Sequence, residues 1–393
     1  MITTNSLFGQ ILQIIDFNDF QHLVNVMDAD KFSKGFSCKE QLVAMLFCHF
    51  AHAKSLREIC YGLHTCLGKI SHLGIEEAPK RSTLSYANAH RPWQLYQSLF
   101  LQTLETCYRK APGKKKKFRF KNKLFSFDSS LIELCLSLFP WAEYRQTKGA
   151  VKLHVLLDHE GYFPVFAHIT EGREHEVNTL HWAPIPQNSI VVFDRGFIDY
   201  VLFDRYTREG VFFVTRMKSN AQYKVLERHP VDSEAGVICD QIIEWTGYKS
   251  RLECPGRLRR VKIRAEVDGE TKILTFVTNH FDLSAKTIGQ IYRDRWEIEI
   301  FFKILKQNLK VKTFVGTSRN ALQIQIWTAL IAHLLLKYMQ FTSGCEWAIS
   351  NLMALLRLNL FTYRDLWAWL KTPLTTPPIV PVDGQLKLFG TAF

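Results

Sequence analysis

At 393 residues the chain exceeds one typical domain and suits two or three. Apolar residues make up 47% and aromatics 13%, which supports sizeable cores and excludes global disorder. A net charge of +13 with a pI near 9.3 favours nucleic acid or an anionic membrane surface as partner. Nine cysteines without a CxxC pair argue against a zinc ribbon or disulfide framework, and for reduced, mostly buried thiols in a cytosolic protein. The first ten residues lack the basic-then-apolar order of a secretion signal.

Residues 1–108 read as an all-α N-terminal domain. Cys38 to His52 and Ser55 to Gly62 give two short helical patterns, broken near Ala53 and Lys54. A third begins at Ser82, a plausible N-cap, and runs through Ala89 until Pro92 ends it. Flanked by Lys80, Arg81, His90 and Arg91, that polar helix fits a DNA-reading unit of helix-turn-helix type, and fits an ordinary helical bundle equally. Residues 109–123 form a basic arm with nine Lys or Arg and no acid, so most of the net charge sits there. Lys115 and Lys116 lie at its centre. A solvated linker is the bland reading; a phosphate-contacting arm is the sharper one.

Strand patterns follow at Leu124 to Ser130, Gly149 to Asp158, Tyr162 to Thr170 and Ser189 to Asp194. Asp158 to Gly161 makes a hairpin-like turn. Val201 to Glu209 turns helical and Val211 to Arg216 is another strand, so the region reads as an α/β sheet of mixed direction. Between about 217 and 270 a small β insertion is expected. Within it Arg260, Lys262 and Arg264 alternate with Val261, Ile263 and Ala265, giving one basic and one apolar face. Thr271 to Thr278 is a further strand, and a helix starts near Ser284. From about 320 to 371 the chain is helical and apolar. The window Ile324 to Phe341 holds Gln325, His333, Lys337 and Gln340, so it reads as a buried core helix rather than a membrane span. A proline-rich tail follows from Thr372.

The densest chemistry lies after residue 290. Tyr292, Arg295, Glu299 and Lys306 sit at offsets of three, seven and fourteen, within roughly one sixth of a helix circumference at about 100° per residue. That face carries a carboxylate between two cations, with Lys303 close by in sequence. Two more carboxylates stand out by position. Asp128 lies within the first strand pattern, and Asp194 ends the buried run Ser189 to Phe193, just before Arg195 and Gly196. A carboxylate on an interior strand is costly unless it is paired or bound to metal. Singly, each has a dull account: a strand-end turn for Asp128, a turn residue for Asp194, an i,i+4 pair with Lys303 for Glu299. Together, three acids without a matching His or Cys set suit Mg²⁺, with Mn²⁺ as a substitute. Two such ions about 3.5–4 Å apart bind the attacking and leaving oxygens of an in-line phosphoryl displacement, so no side-chain nucleophile is needed.

Tyr292-x2-Arg295-x3-Glu299-x6-Lys306 is similar to the Tyr–Arg–Glu–Lys signature of bacterial DDE transposases of the insertion sequence four family. Asp194-Arg195-Gly196-Phe197 resembles the family's segment around the second aspartate, and Phe127-Asp128-Ser129 the segment around the first. Arg81 to Asn88 resembles part of the helical domain that precedes the catalytic core in many members, so residues 1–108 are expected to be the domain that binds the inverted repeats. The resemblance implies a multidomain chain with an RNase H-like α/β catalytic core at 124–340, interrupted by the β-strand insertion. A helical region with the proline-rich tail would follow at 341–393. By resemblance Asp128, Asp194 and Glu299 hold two metal ions, Arg295 and Lys306 grip phosphates near the transposon end, and Tyr292 positions the same backbone.

Related enzymes cut through hairpin ends and hold a flipped base. Trp296 is a candidate stacking residue, with packing against the core as its competing reading. The expected partners are double-stranded DNA, as terminal inverted repeats and target, and a second copy on paired ends. No membrane is expected, and the location would be the bacterial cytoplasm near the nucleoid. Two rival functions remain: a transposon-derived DNA-binding protein without catalysis, and a host RNase H-like nuclease.

Overall fold

The structure, a computed structural model, describes residues 5–31, 33–66, 70–110, 118, 120–145, 148–174, 179–267, 269–309, 311 and 313–377. The expected contacts Lys115 and Lys116, and the tail beyond residue 377, lie outside the described residues. The chain divides into two compact units, one of residues 1–113 with 303–393 and one of 114–302.

The first unit is helical. Its described N-terminal helices are α1 (Leu7–Leu12), α2 (Phe17–Val26), α3 (Cys38–Ala51), α4 (Leu56–His64), α5 (Arg81–His90) and α6 (Gln94–Lys110). Each of the first four starts on a side-chain cap: Ser6, Asp16, Ser37 and Ser55 accept from first-turn amides. Ser37 and Glu40 complete a reciprocal capping box. The expected cap at Ser82 is not used. Helix α5 begins one residue earlier, at Arg81, and its first turn has no side-chain cap. A 3₁₀ turn, Ile70–Leu73, intervenes between α4 and α5, too long a connection for a helix-turn-helix.

Among the described residues, three helices of the later chain join the helical unit, and the first of them returns to its centre. They are α11 (Arg319–Ser343), α12 (Ile349–Asn359) and α13 (Leu366–Lys371), the numbers α7–α10 belonging to the sheet unit below. Helix α11 is buried along most of its length and packs on α3, α5 and α6, as the expectation of a core helix required. The expected core boundary at 340 therefore falls inside this helix, which belongs with the N-terminal helices. No helix among the described residues is long and apolar enough to cross a membrane.

Among the described residues, the second unit is built on one ten-stranded sheet. Its strands are β1 (Leu124–Leu134), β2 (Glu143–Arg145), β3 (Lys148–Asp158), β4 (Phe163–Glu171), β5 (Ile190–Phe193), β6 (Phe212–Arg216), β7 (Tyr223–Arg228), β8 (Val237–Trp245), β9 (Leu258–Val267) and β10 (Glu270–Thr278). The order is β2-β3-β1-β5-β6-β10-β9-β8-β7, with β4 also on β3. Strands β1, β5 and β6 run parallel and the flanking pairs antiparallel, which is the expected mixed sheet. The strands of the expected β insertion are not a separate lobe. They continue the same sheet, because β10 pairs with β6 at its end and with β9 along its length.

Side-chain alternation sorts two cores. Phe125, Phe127, Val191, Phe193 and Phe213 face α7 (Tyr200–Glu209), where Leu202, Phe203 and Tyr206 cover them. Leu124, Ile190, Val192 and Val214 face α9 (Ala285–Asp294), through Ile288 and Ile291. A short helix, α8 (Tyr248–Glu253), follows β8. Helix α9 is capped by Ser284, as expected, and lies close on the sheet: a Cβ at Gly289 would stand 2.7 Å from Ile263 Cδ1.

Candidate functional site

The parity of β1 and β5 decides which face carries the two aspartates. Asp128 shares parity with Leu124, and Asp194 with Ile190 and Val192, so both belong to the α9 side. The parallel register pairs Phe127 with Phe193, and one step further sets Asp128 beside Asp194. Asp194 follows the last residue of β5, and Asp128 sits where the parallel pairing of β1 with β5 ends, while β1 itself runs on to Leu134 against β3. The carboxyl end of a parallel strand is where open α/β sheets bind ligands.

Across from them the chain departs from the single helix expected. Helix α9 ends at Asp294, Arg295 occupies the junction, and α10 (Trp296–Lys303) follows. The next turn, Ile304–Asn308, is π-helical. An even 3.6-residue period therefore does not hold from Tyr292 to Lys306. The break leaves the polar contacts intact. Tyr292 Oη donates to Asp194 Oδ1 at 3.0 Å. Arg295 donates to Asp128 Oδ2 at 3.0 Å and to Glu299 Oε1 at 2.6 Å, so one guanidinium joins two of the three carboxylates. Glu299 thus pairs four residues back with Arg295, and the bland expectation of a Lys303 partner is replaced.

Electrostatics follow from that crowding. Burial pushes the Asp128 carboxyl up to about 6; Arg295 and the Ser129 amide pull it down, while Glu299 and Asp194 push it further up. The Tyr292 phenol is raised above its ordinary range by burial, then by the neighbouring Asp194 charge. Acids at this spot repel one another and need a cation among them. Arg295 is one such cation. Oxygen-only donors suit a hard divalent ion, although among the described residues no group of three His, Cys, Asp or Glu is gathered so as to hold one.

The other sequence-derived candidates lie elsewhere. Trp296 is 60% exposed, so its ring is not core packing. Lys303 is exposed and Lys306 partly buried, and both belong to the helical unit. Arg260 donates to Gln241 Oε1 at 2.6 Å and stacks over Tyr223; Lys262 is half-buried and Arg264 exposed. Strand β9, which carries them, is four strands from β1, roughly 19 Å at about 4.8 Å per step.

Sequence reasoning missed a buried network behind the carboxylates. Ser126 Oγ lies 2.7 Å from His159 Nε2, and His159 Nδ1 lies 3.6 Å from Asp294 Oδ2. It links β1, the β3–β4 turn and the residue preceding Arg295. A serine two positions before Asp128 was visible on the same strand face, but nothing local pointed to His159.

A large mixed sheet core between helical regions is typical of DDE transposases. The chain belongs to that family: residues 119–335, more than half of it, match the family described as Transposase DDE domain. Residues 3–76 match a second family, described as Domain of unknown function (DUF4372). The chain is 28% identical over 303 residues to the transposase-named protein y4zB of Sinorhizobium fredii, covering 76% of this chain and 83% of that one. It is 29% identical over 259 residues to the probable transposase for insertion sequence element IS5377 of Geobacillus stearothermophilus, covering 66% and 67%. Among solved structures, a piggyBac transposase synaptic complex with hairpin DNA aligns with 94% of this chain and 81% of its own, at 10% identity and a TM-score of 0.43. Membership of the DDE family implies use of a divalent metal.

Proposed function

We propose that this protein is the transposase of an insertion sequence, binding the element's terminal inverted repeats, cleaving the ends and joining them to target DNA. One observation carries the reading. Arg295 bridges Asp128 on β1 to the helix-borne Glu299, and Tyr292, three residues earlier, binds Asp194 at the end of the neighbouring parallel strand. Asp128, Asp194 and Glu299 would hold two Mg²⁺ ions, with Mn²⁺ as a substitute. When bound, such ions stabilise the charge on the attacking and leaving oxygens of an in-line displacement.

The chain's own residues do the rest. Tyr292 holds the Asp194 carboxylate through its hydroxyl, which fixes that side chain's rotamer. Arg295, with Lys306, supplies positive charge for the phosphate of the transposon end, in keeping with the Tyr–Arg–Glu–Lys signature. Fixed cations beside a developing phosphorane lower its energy without reorganising. Trp296, exposed and next in sequence to Arg295, would stack on an extruded base in a cut-and-paste route with hairpin ends. The sheet of residues 124–302 serves as an RNase H-like core, and paired ends call for at least a dimer on DNA.

The test uses linear duplexes carrying the DNA that flanks the coding sequence, incubated with the full chain and Mg²⁺ or Mn²⁺. Breaks at the inverted repeats are expected for the wild type, and none above background for Asp128→Ala, Asp194→Ala or Glu299→Ala. Cleavage by any of these variants at the wild-type rate would remove that residue from the site. Breaks that ignore the end sequence would point to a nuclease instead. Binding without breaks would point to a silent DNA-binding protein.

A further inference from the structure

A groove of about 760 Å³ opens in the helical unit between the first turn of α4, helix α5 and the loop at Phe314 and Val315. Lys54, Arg57 and Arg81 line it, all three exposed, and no Asp or Glu does. Glu58, the nearest acid in sequence, instead accepts from the Lys54 backbone amide at 2.9 Å. Tyr86 and His90 stand along α5 on the same groove, their rings stacked 4.1 Å apart at 21°.

The walls are held from behind. Buried Gln325 donates to the Thr313 carbonyl and accepts from the Val315 amide, which pins the loop. Asn320 donates to the carbonyls of Asn88 and Arg91 and so clamps the end of α5. The inner face of α5, through Leu84, Ala87 and Asn88, is buried, leaving the face with Arg81 and Tyr86 outward. Three long cations without a carboxylate among them repel one another. A protein that keeps them on a rigid floor has an anion to match.

We propose that this groove seats the sugar–phosphate backbone of duplex DNA, with Lys54, Arg57 and Arg81 each neutralising a phosphate and the Tyr86–His90 stack walling the strand. The proposal rests on the transposase reading for its choice of DNA over another polyanion. It does not depend on the carboxylate site. It assigns a role to a surface that straddles the end of the segment of unknown function and the helix after it. Contacts of this kind carry affinity without base sequence, and release counterions on binding.

The experiment is fluorescence anisotropy of a labelled duplex of arbitrary sequence with the full chain in EDTA, from low to moderate KCl. Each phosphate contact contributes about 0.9 to the slope of log K against log salt. The triple variant Lys54→Ala/Arg57→Ala/Arg81→Ala should flatten that slope by about 2.7 and weaken binding at least about tenfold near 0.1 M salt. The control Arg208→Ala/Lys249→Ala/Lys272→Ala removes the same charge from exposed ion pairs of the sheet unit, and should leave the slope near wild type. If the triple variant fails to fold by circular dichroism, Arg57→Ala alone should flatten the slope by about 0.9.

Equal slopes for the triple variant and the control overturn the proposal. So does displacement of the duplex by a mononucleotide or pyrophosphate at an equal phosphate concentration, which would mark a small-anion site. End cleavage by the wild type separates the two readings. A flattened slope in the triple variant with no cleavage by the wild type leaves the groove standing and removes the catalytic reading. End cleavage by the wild type with no slope change in the triple variant does the reverse.

Discussion

Arg295 is the residue on which the carboxylate cluster turns. Its guanidinium spans from Asp128 to Glu299 with 12% of the side chain exposed, so it balances two acids in a poorly solvated place. A divalent ion would have to share those same oxygens. Arg295→Ala should therefore bind Mn²⁺ several-fold more tightly, read by the free-ion signal in electron paramagnetic resonance. End cleavage by the same variant should fall by about 10²-fold, because the cation proposed to face the phosphate is gone. Unchanged Mn²⁺ affinity would show that the arginine does not compete for the carboxylates. Tyr292→Phe removes one hydrogen bond to Asp194, and a smaller loss is expected, near the roughly 1 kcal/mol of a single such bond. The spacing of Tyr292, Arg295 and Glu299 was legible as one face, and the resemblance placed Asp128 and Asp194 with them. Which side chain touches which was not legible. Arg295 reaches Asp128 across 167 positions and Tyr292 reaches Asp194 across 98, contacts that only strand register and helix placement create.

At the scale of elements, the strand β9 shows how a local pattern can be read correctly and still be incomplete. The alternation of Arg260, Lys262 and Arg264 with Val261 and Ile263 is present. Its neighbour Arg259 escaped notice, yet it is the arginine the fold uses. It lies 6% exposed, donates to both oxygens of Asp240 at 2.8 and 2.6 Å, and reaches the carbonyls of Phe281 and Leu283. That last pair lies just ahead of α9, so Arg259 ties the sheet's antiparallel wing to the entry of the helix bearing Tyr292. Arg259→Ala would strand a buried carboxylate and should cost about 3–5 kcal/mol in urea unfolding of the sheet unit. Replacing both partners, Arg259→Met with Asp240→Leu, should recover most of that loss. A single variant within 1 kcal/mol of wild type would show the pair to be dispensable. The break at Arg295 and the π turn at Ile304–Asn308 belong to this scale too. Helical periodicity ran through both, because neither Pro nor Gly marks them in the sequence.

For the molecule as a whole, two buried histidines make acid a specific threat. His49, in the last turn of α3, lies between the Leu309 carbonyl and the Thr328 hydroxyl, each at 3.0 Å. Burial holds its pKa down, from 6.5 to about 4. His154, between Thr170 and Thr179 in the sheet unit, is held down to about 3 by burial and then by His168. A histidine with a depressed folded pKa takes its proton more readily when unfolded. Stability is then full above about 6.5 and falls as the pH drops towards 4, since the unfolded chain binds more protons across that window. The urea midpoint of the helical signal should thus drop between pH 7 and pH 5. His49→Gln should start lower at pH 7 and drop less; an equal drop in both would assign the acid sensitivity to other groups.

The sequence alone determined the composition of the parts. Alternating and periodic apolar residues are local properties, so strands between Leu124 and Asp194, helices at Cys38 to His52 and Ser55 to Gly62, and a buried helix over Ile324 to Phe341 could be placed without a fold. Asp128 and Asp194 stood out because an acid within or ending an apolar strand is chemically conspicuous. The family signature fixed their order. Only the tertiary structure decided how the parts associate. It returned Arg319–Ser343 to the N-terminal helices, joined the expected insertion to the main sheet through β10, and gave the cations of α4 and α5 a common groove. Each of these depends on contacts between residues far apart in the chain, and a period of two or 3.6 residues carries no information about such pairs.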